Sequence, residues 1–256
     1  MGVQGLIGVL ERTCGGAKRE VTGAALRALK AQAGQNSVLA VDAMNLLFYL
    51  AGLEGGLGLQ GELEGFCTFL RNHDLRAACV FDSNKMSKPR KLLAQDRREQ
   101  RTAALSELNG LKNIKGVIPF SARRRHALLR SRTIHVDAEQ VRAAQTQLST
   151  SGVCTVFMAT DEADSVCVDL VTNGTAFACL SNDSDMFVRD CRYVLRKYRP
   201  AEGTFELWDT KRVYKELSVE AEEFQAVCAA AVAARHTHNE LYAALGAAGA
   251  GGSVAA

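Results

Sequence analysis

The sequence predicts an α/β fold with a mostly parallel central sheet flanked by helices and broken by one long helical insertion, and three observations predict it. Short apolar runs that end in carboxylates recur along the chain, helix-like stretches separate them, and one strongly basic segment interrupts the alternation. Residues 38–43 and 77–82 are apolar runs closing on Asp42 and Asp82, and both read as buried parallel strands. Residues 153–159 and 176–181 are two more. Between them a helix begins near Thr160 as N-cap and stops at Asn173-Gly174, which makes a βαβ unit. Residues 193–198 and 204–208 form a pair of shorter strands around a turn at 200–203, and 210–217 is then a helix.

The insertion covers residues 83–152, with helical periodicity in 90–108 and again in 138–148. Its middle, 123–132, is basic and has no clear strand pattern. A connection of this length in a compact domain is usually functional or mobile. After Ser218 the chain is helical and alanine-rich to about Leu245. Residues 246–256 are Gly, Ala, Ser and Val with little to bury, so a disordered tail is expected there after a single domain over 1–245.

Composition narrows the function classes. The 256 residues are 47% hydrophobic and 23% charged, enough apolar mass for a buried core. The best candidate membrane span, 38–53, is broken by Asp42, Asn45 and Gly52. No secretory leader opens the chain, and the eight cysteines include no C-x-x-C pair; several sit in apolar runs as small hydrophobes. A reduced, intracellular protein is expected. The net charge of +3 hides a strong polarity, because residues 83–132 carry 14 of the 31 Lys and Arg against three acids, Asp96, Glu99 and Glu107. That segment is +11 and the remainder −8. A polyphosphate strand is the commonest partner for so dense a basic block.

Against it stand the acids. In open parallel sheets ligands sit beyond the carboxyl ends of the strands, where Asp42 and Asp82 end theirs. Asp161, Glu162 and Asp164 lie at the start of the helix in the βαβ unit, and Asp183 and Asp185 directly follow its second strand. Taken singly, each has a plainer role as turn former, helix cap or dipole partner. Together, seven like charges on one edge would repel unless a cation sat among them. Oxygen-only ligands favour Mg2+, with Mn2+ able to substitute, and two such ions about 4 Å apart can activate a water and stabilise the leaving oxygen of a phosphodiester.

These residues resemble the flap endonuclease and XPG-type 5′ nucleases, a branch of the PIN-like fold. Met1-Gly-Val-Gln-Gly-Leu-Ile resembles the family's start, Val41-Asp-Ala-Met-Asn45 its first metal motif, and Val80-Phe-Asp82 the second. The second is followed by Lys88-Pro-Arg-Lys and Arg97-Arg-Glu-Gln-Arg101. Asp161-Glu-Ala-Asp164 and Leu180-Ser-Asn-Asp-Ser-Asp185 are similar to the two later signatures, and the match runs in order to about residue 228.

The resemblance implies a Mg2+-dependent, structure-specific 5′ nuclease acting on branched or 5′-ended DNA in replication, repair or recombination. By it, Asp42, Asp82, Glu162, Asp164, Asp183 and Asp185 are the metal carboxylates, and Asp161 is left as a helix-start acid. Gly2, Lys88, Arg90, Arg97, Arg98, Arg101, Arg123, Arg124 and Arg125 would meet nucleic acid, the insertion serving as an arch. A nuclear site of action is implied, the host nucleus if the chain is viral. Two departures stand out: Ala229-Ala-Ala-Val-Ala-Ala-Arg-His236 replaces the segment with the family's last metal carboxylate, and neither a helix-hairpin-helix nor a sliding-clamp peptide is present. Two alternatives stay open, an RNA endonuclease that degrades messenger RNA and a non-catalytic nucleic-acid-binding scaffold of the same fold.

Overall fold

The computed structural model describes residues 3, 5–53, 56–83, 88–112, 120–160, 162–234 and 238–251, without the side chains of 88–94, 97, 111, 112, 120–124, 127, 131, 238, 250 and 251. Seven strands form one sheet: β1 (Lys18–Thr22), β2 (Val38–Asp42), β3 (Ala77–Phe81), β4 (Cys154–Met158), β5 (Ala176–Leu180), β6 (Tyr193–Arg199) and β7 (Thr204–Asp209). Their order is β1-β7-β6-β5-β2-β3-β4. The pairings β6–β5, β5–β2, β2–β3 and β3–β4 are parallel, whereas β6–β7 and β7–β1 are antiparallel. The sheet is therefore mixed, with an antiparallel margin on a parallel centre. β1 is the strand that sequence reading missed: Lys-Arg-Glu-Val-Thr buries only Val21, so it has no apolar run to announce it.

Strand alternation divides the core in two. On β2, Leu39 and Val41 face one layer and Ala40 the other. The first layer packs under α2 (Gly23–Ala33), α3 (Ala43–Ala51), α4 (Gly58–Asn72) and α7 (Ala138–Thr150). The second packs under α1 (Leu6–Thr13), α8 (Ala163–Thr172), α9 (Asp185–Val188), α10 (Thr210–Leu217), α11 (Ala221–Ala234) and α12 (His238–Gly251). Burial on both faces explains why β2, β3 and β5 read as unbroken apolar runs. β4 differs. It is an edge strand and leaves Phe157 and Met158 exposed, although the same kind of run had suggested a fully buried strand.

The basic insertion is a hairpin of two helices, α5 (Lys88–Lys112) and α6 (Phe120–Thr133), followed by α7. Ala104, Leu108 and Leu129 make its small core, and Arg125 forks onto Glu107 with both contacts at 2.7 Å. α7 opens with a capping box in which Asp137 and Gln140 satisfy each other's backbone amides.

The expected disordered tail needs correction. α12 runs through Gly251, six residues into the segment read as having nothing to bury. Leu241 and Leu245 are fully enclosed and Ala248 packs on the same layer, so small residues let this helix lie close to α10 rather than leaving it unfolded. Residues 252–256 lie outside the described residues. Among the described residues no helix is long and apolar enough to cross a membrane, and all eight cysteines are free and buried.

Candidate metal centre

Strand order places the site. β2 has β5 on one side and β3 on the other, so consecutive parallel strands depart in opposite directions from this point and a crevice opens beyond their carboxyl ends. Asp42 ends β2, Asp82 follows β3, Asp183 and Asp185 follow β5, and Glu162 and Asp164 start α8 behind β4. The helix between β4 and β5 begins at Ala163 with Glu162 as N-cap position, two residues later than Thr160. The reason is that Asp82 Oδ1 accepts the Ala163 amide at 3.0 Å, so the cap comes from a neighbouring strand rather than from the local sequence.

Three of the predicted carboxylates form one group. Oxygens of Asp164, Asp183 and Asp185 all lie within 4.8 Å of one another, and each side chain is half-buried. Asp42 sits behind them, 7% exposed, with its carboxylate against that of Asp164. It caps α3 through the Asn45 amide at 3.0 Å and accepts the Ser181 hydroxyl at 3.1 Å. Glu162 is turned to Arg189 instead, its Oε2 accepting Nη2 at 3.0 Å. Asp161 lies outside the described residues.

The electrostatics are those of crowded anions. Burial, then the Asp164 charge, pushes the Asp42 carboxyl up to about 8, with the Asn45 and Ser181 donors only partly opposing this. Asp164 is raised by burial and then by Asp183, and Asp185 likewise by burial and then by Asp183; Arg189 pulls both the other way. In the absence of cations such a group relieves itself by holding protons, and a divalent ion would displace them. A set of carboxylate oxygens converging on one space, with no His or Cys among them, fits Mg2+ or Mn2+.

Several residues shape the centre through contacts that the sequence does not announce. Ser181 Oγ accepts the Asp183 amide at 3.2 Å while donating to Asp42, so one hydroxyl ties the ends of two strands. Asn45 Oδ1 accepts the Asn182 amide at 2.8 Å. The Asn182 side chain in turn accepts the Lys197 amide at 2.8 Å, and its carbonyl accepts buried Arg196 at 3.0 Å. Lys197 has a left-handed backbone where the β6–β7 register shifts, which turns its amide toward the loop. Asn45, Ser181 and Asn182 stand in the runs that start at Val41 and Leu180, but their sequence positions assign them no such contacts. Beside Asp183 an open hollow of about 360 Å3 is lined by Gly5, Gly8, Asn45, Asn182 and Ser184 among others.

On the basic hairpin, Arg98 is exposed and Arg101 half-exposed, whereas Arg125 is held by Glu107. Lys88, Arg90, Arg97, Arg123 and Arg124 fall on α5 and α6 with side chains outside the described residues, and Gly2 lies wholly outside them.

With that geometry in view, the comparison with known families is specific. Residues 154–232 match the XPG I-region. The match spans β4 to α11, hence Glu162, Asp164, Asp183 and Asp185. No curated protein matches the chain in sequence. Among solved structures, the catalytic core of Rad2 in complex with DNA substrate is 17% identical with a TM-score of 0.54, over 89% of this chain and 61% of that one. Human GEN1 in complex with Holliday junction DNA is 16% identical with a TM-score of 0.54, over 89% and 49%. The Holliday junction-resolving enzyme GEN1 with product DNA, Mg2+ and Mn2+ is 17% identical with a TM-score of 0.57, over 96% and 50%. The chain has the fold of these XPG-type nucleases, arch insertion included, and spans about half to three-fifths of their length.

Proposed function

We propose that this protein is a divalent-metal-dependent nuclease that hydrolyses phosphodiester bonds in DNA. The observation that carries the reading is the convergence of Asp164, Asp183 and Asp185 within 4.8 Å at the mouth of a parallel sheet, inside a segment that matches the XPG I-region. Asp164, Asp183 and Asp185 would hold the cation, with Asp42 behind Asp164. When bound, Mg2+ or Mn2+ would supply Lewis-acid polarisation of the scissile phosphate and a nucleophilic water at neutral pH. Flap-type or otherwise branched 5′-ended substrates and a nuclear site of action are the finer parts of this reading, supported by the resemblance and by the relatives solved with DNA.

The chain's own residues do the positioning. Ser181, Asn45 and Asn182 fix the loop that presents Asp183 and Asp185, so these carboxylates need little reorganisation as charge develops. The hollow beside Asp183, with Gly5 and Gly8 on its border next to Val3 and Ile7, gives a phosphate backbone room to approach. The α5–α6 hairpin supplies the exposed Arg98 and the half-exposed Arg101 for the strand's remaining phosphates. The test is a product-length assay on matched flap, duplex and single-stranded DNA and on RNA, with and without Mg2+. Mg2+-dependent cutting of branched DNA is expected, and cutting confined to RNA would move the substrate class.

A further inference from the structure

Arg189 is a cation that the sequence reading left unassigned. It follows α9 one turn after Asp185, with its amide on the Asp185 carbonyl at 2.9 Å. The guanidinium then reaches across to the first turn of α8: Nη1 donates to Ser165 Oγ at 2.7 Å and Nη2 to Glu162 Oε2 at 3.0 Å. Two donors on two fixed acceptors set its plane as well as its position, which one surface contact would not do. Its field also reaches Asp164 and Asp185, both of which it holds down against their neighbours.

We infer that Arg189 is a built-in counter-ion of the crevice: paired with Glu162, it supplies the positive charge on that flank, and the site loads one divalent cation, in the Asp164–Asp183–Asp185 group. This rests on the metal-dependent reading of the same site. A carboxylate already neutralised by a guanidinium is a poor ligand, because a cation must break the pair and then sit beside a like charge. Glu162 thus divides from the other acids by its partner rather than by its position in the sequence. Releasing the Arg189 side chain is the step that would make room for a second ion.

Calorimetric titration of the substrate-free protein with Mn2+ tests this without reference to turnover. The wild type should bind one ion. Arg189→Gln should either add a second binding step or tighten Mn2+ binding by about tenfold or more. Glu162→Gln should keep a single site, with affinity within about twofold of wild type, and the double variant should lose the gain seen in Arg189→Gln. Circular dichroism melts identify any variant that fails to fold, and the Glu162→Gln arm stands without Arg189→Gln. Two wild-type ions of similar affinity, an unchanged Arg189→Gln isotherm, or loss of the single site in Glu162→Gln would each overturn the inference while leaving a metal centre in place. Absence of Mn2+ binding in every protein would overturn both the inference and the metal-dependent reading.

Discussion

Ser181 donates its hydroxyl to Asp42 Oδ2 at 3.1 Å, so the carboxylate that ends β2 is gripped from the end of the neighbouring strand β5. The grip keeps Asp42 against Asp164 in a buried site where its carboxyl rises to about 8 from an ordinary 3.8. The folded state therefore holds this proton more tightly than the unfolded chain does. Stability of the metal-free protein should fall as pH rises between those two values, and change no further above them on this account. Asp164 and Asp185 are shifted in the same direction. Melting in EDTA at about pH 5 and about pH 8 should differ by about 2–4 kcal/mol, with Asp42→Asn removing most of the difference. A metal-free protein that grows more stable over that interval would contradict the placement of Asp42.

Asp82 caps α8, and the family resemblance implies a metal-ligand role for it as well; two substitutions separate the cap from that role. Its carboxylate caps α8 through the Ala163 amide. Asp82→Ala should cost about 0.5–2 kcal/mol of stability as a lost cap, whereas Asp82→Asn retains an acceptor and should melt within a few tenths of wild type. Both should lose cleavage. Equal melting of the two variants would show that the cap carries no weight.

How much of this was legible beforehand follows from where the information sits. β2, β3 and β5 are buried on both faces, so their apolar runs announced them, and the strand-end acids came with them. β1 and the exposure of β4 were not legible, because an edge strand's identity depends on which neighbour it lacks. The helix start at Ala163 was misplaced for the same reason: its cap, Asp82, lies 81 positions away. Local composition also misjudged α12, where Ala248 and Gly249 serve close packing. Seven acids could be counted from the sequence, but only the fold shows that Glu162 faces Arg189 and that Asp164, Asp183 and Asp185 face one another.

The packing of α12 gives a stability prediction of its own. A Cβ on Gly249 would collide with the Leu217 backbone carbonyl, which cannot swing away as a side chain could. Gly249→Val should destabilise the protein by about 1–3 kcal/mol in urea unfolding, while Gly246→Ala, where a Cβ meets open space, should be neutral or mildly stabilising. A neutral Gly249→Val would mean that this helix does not dock on α10.

DNA affinity should drop steeply with salt, because arginines on the α5–α6 hairpin release counterions from phosphates. Arg98→Ala and Arg101→Ala should each weaken binding across sequences and reduce the log–log salt slope by about one. Arg125→Ala should act mainly on the hairpin itself, since its guanidinium is forked onto Glu107. Fluorescence anisotropy at several salt concentrations measures all three. A flat salt response would remove the hairpin as the grip.

The most direct measurement is single-turnover cleavage of a 5′-labelled DNA flap by wild type and Asp183→Asn, in Mg2+ and in EDTA, with binding followed in parallel. The account predicts Mg2+-dependent cutting by the wild type, a loss of at least about 100-fold in Asp183→Asn, and DNA affinity within a few-fold in both. Cutting by Asp183→Asn at the wild-type rate, or wild-type cutting undiminished in EDTA, would contradict it.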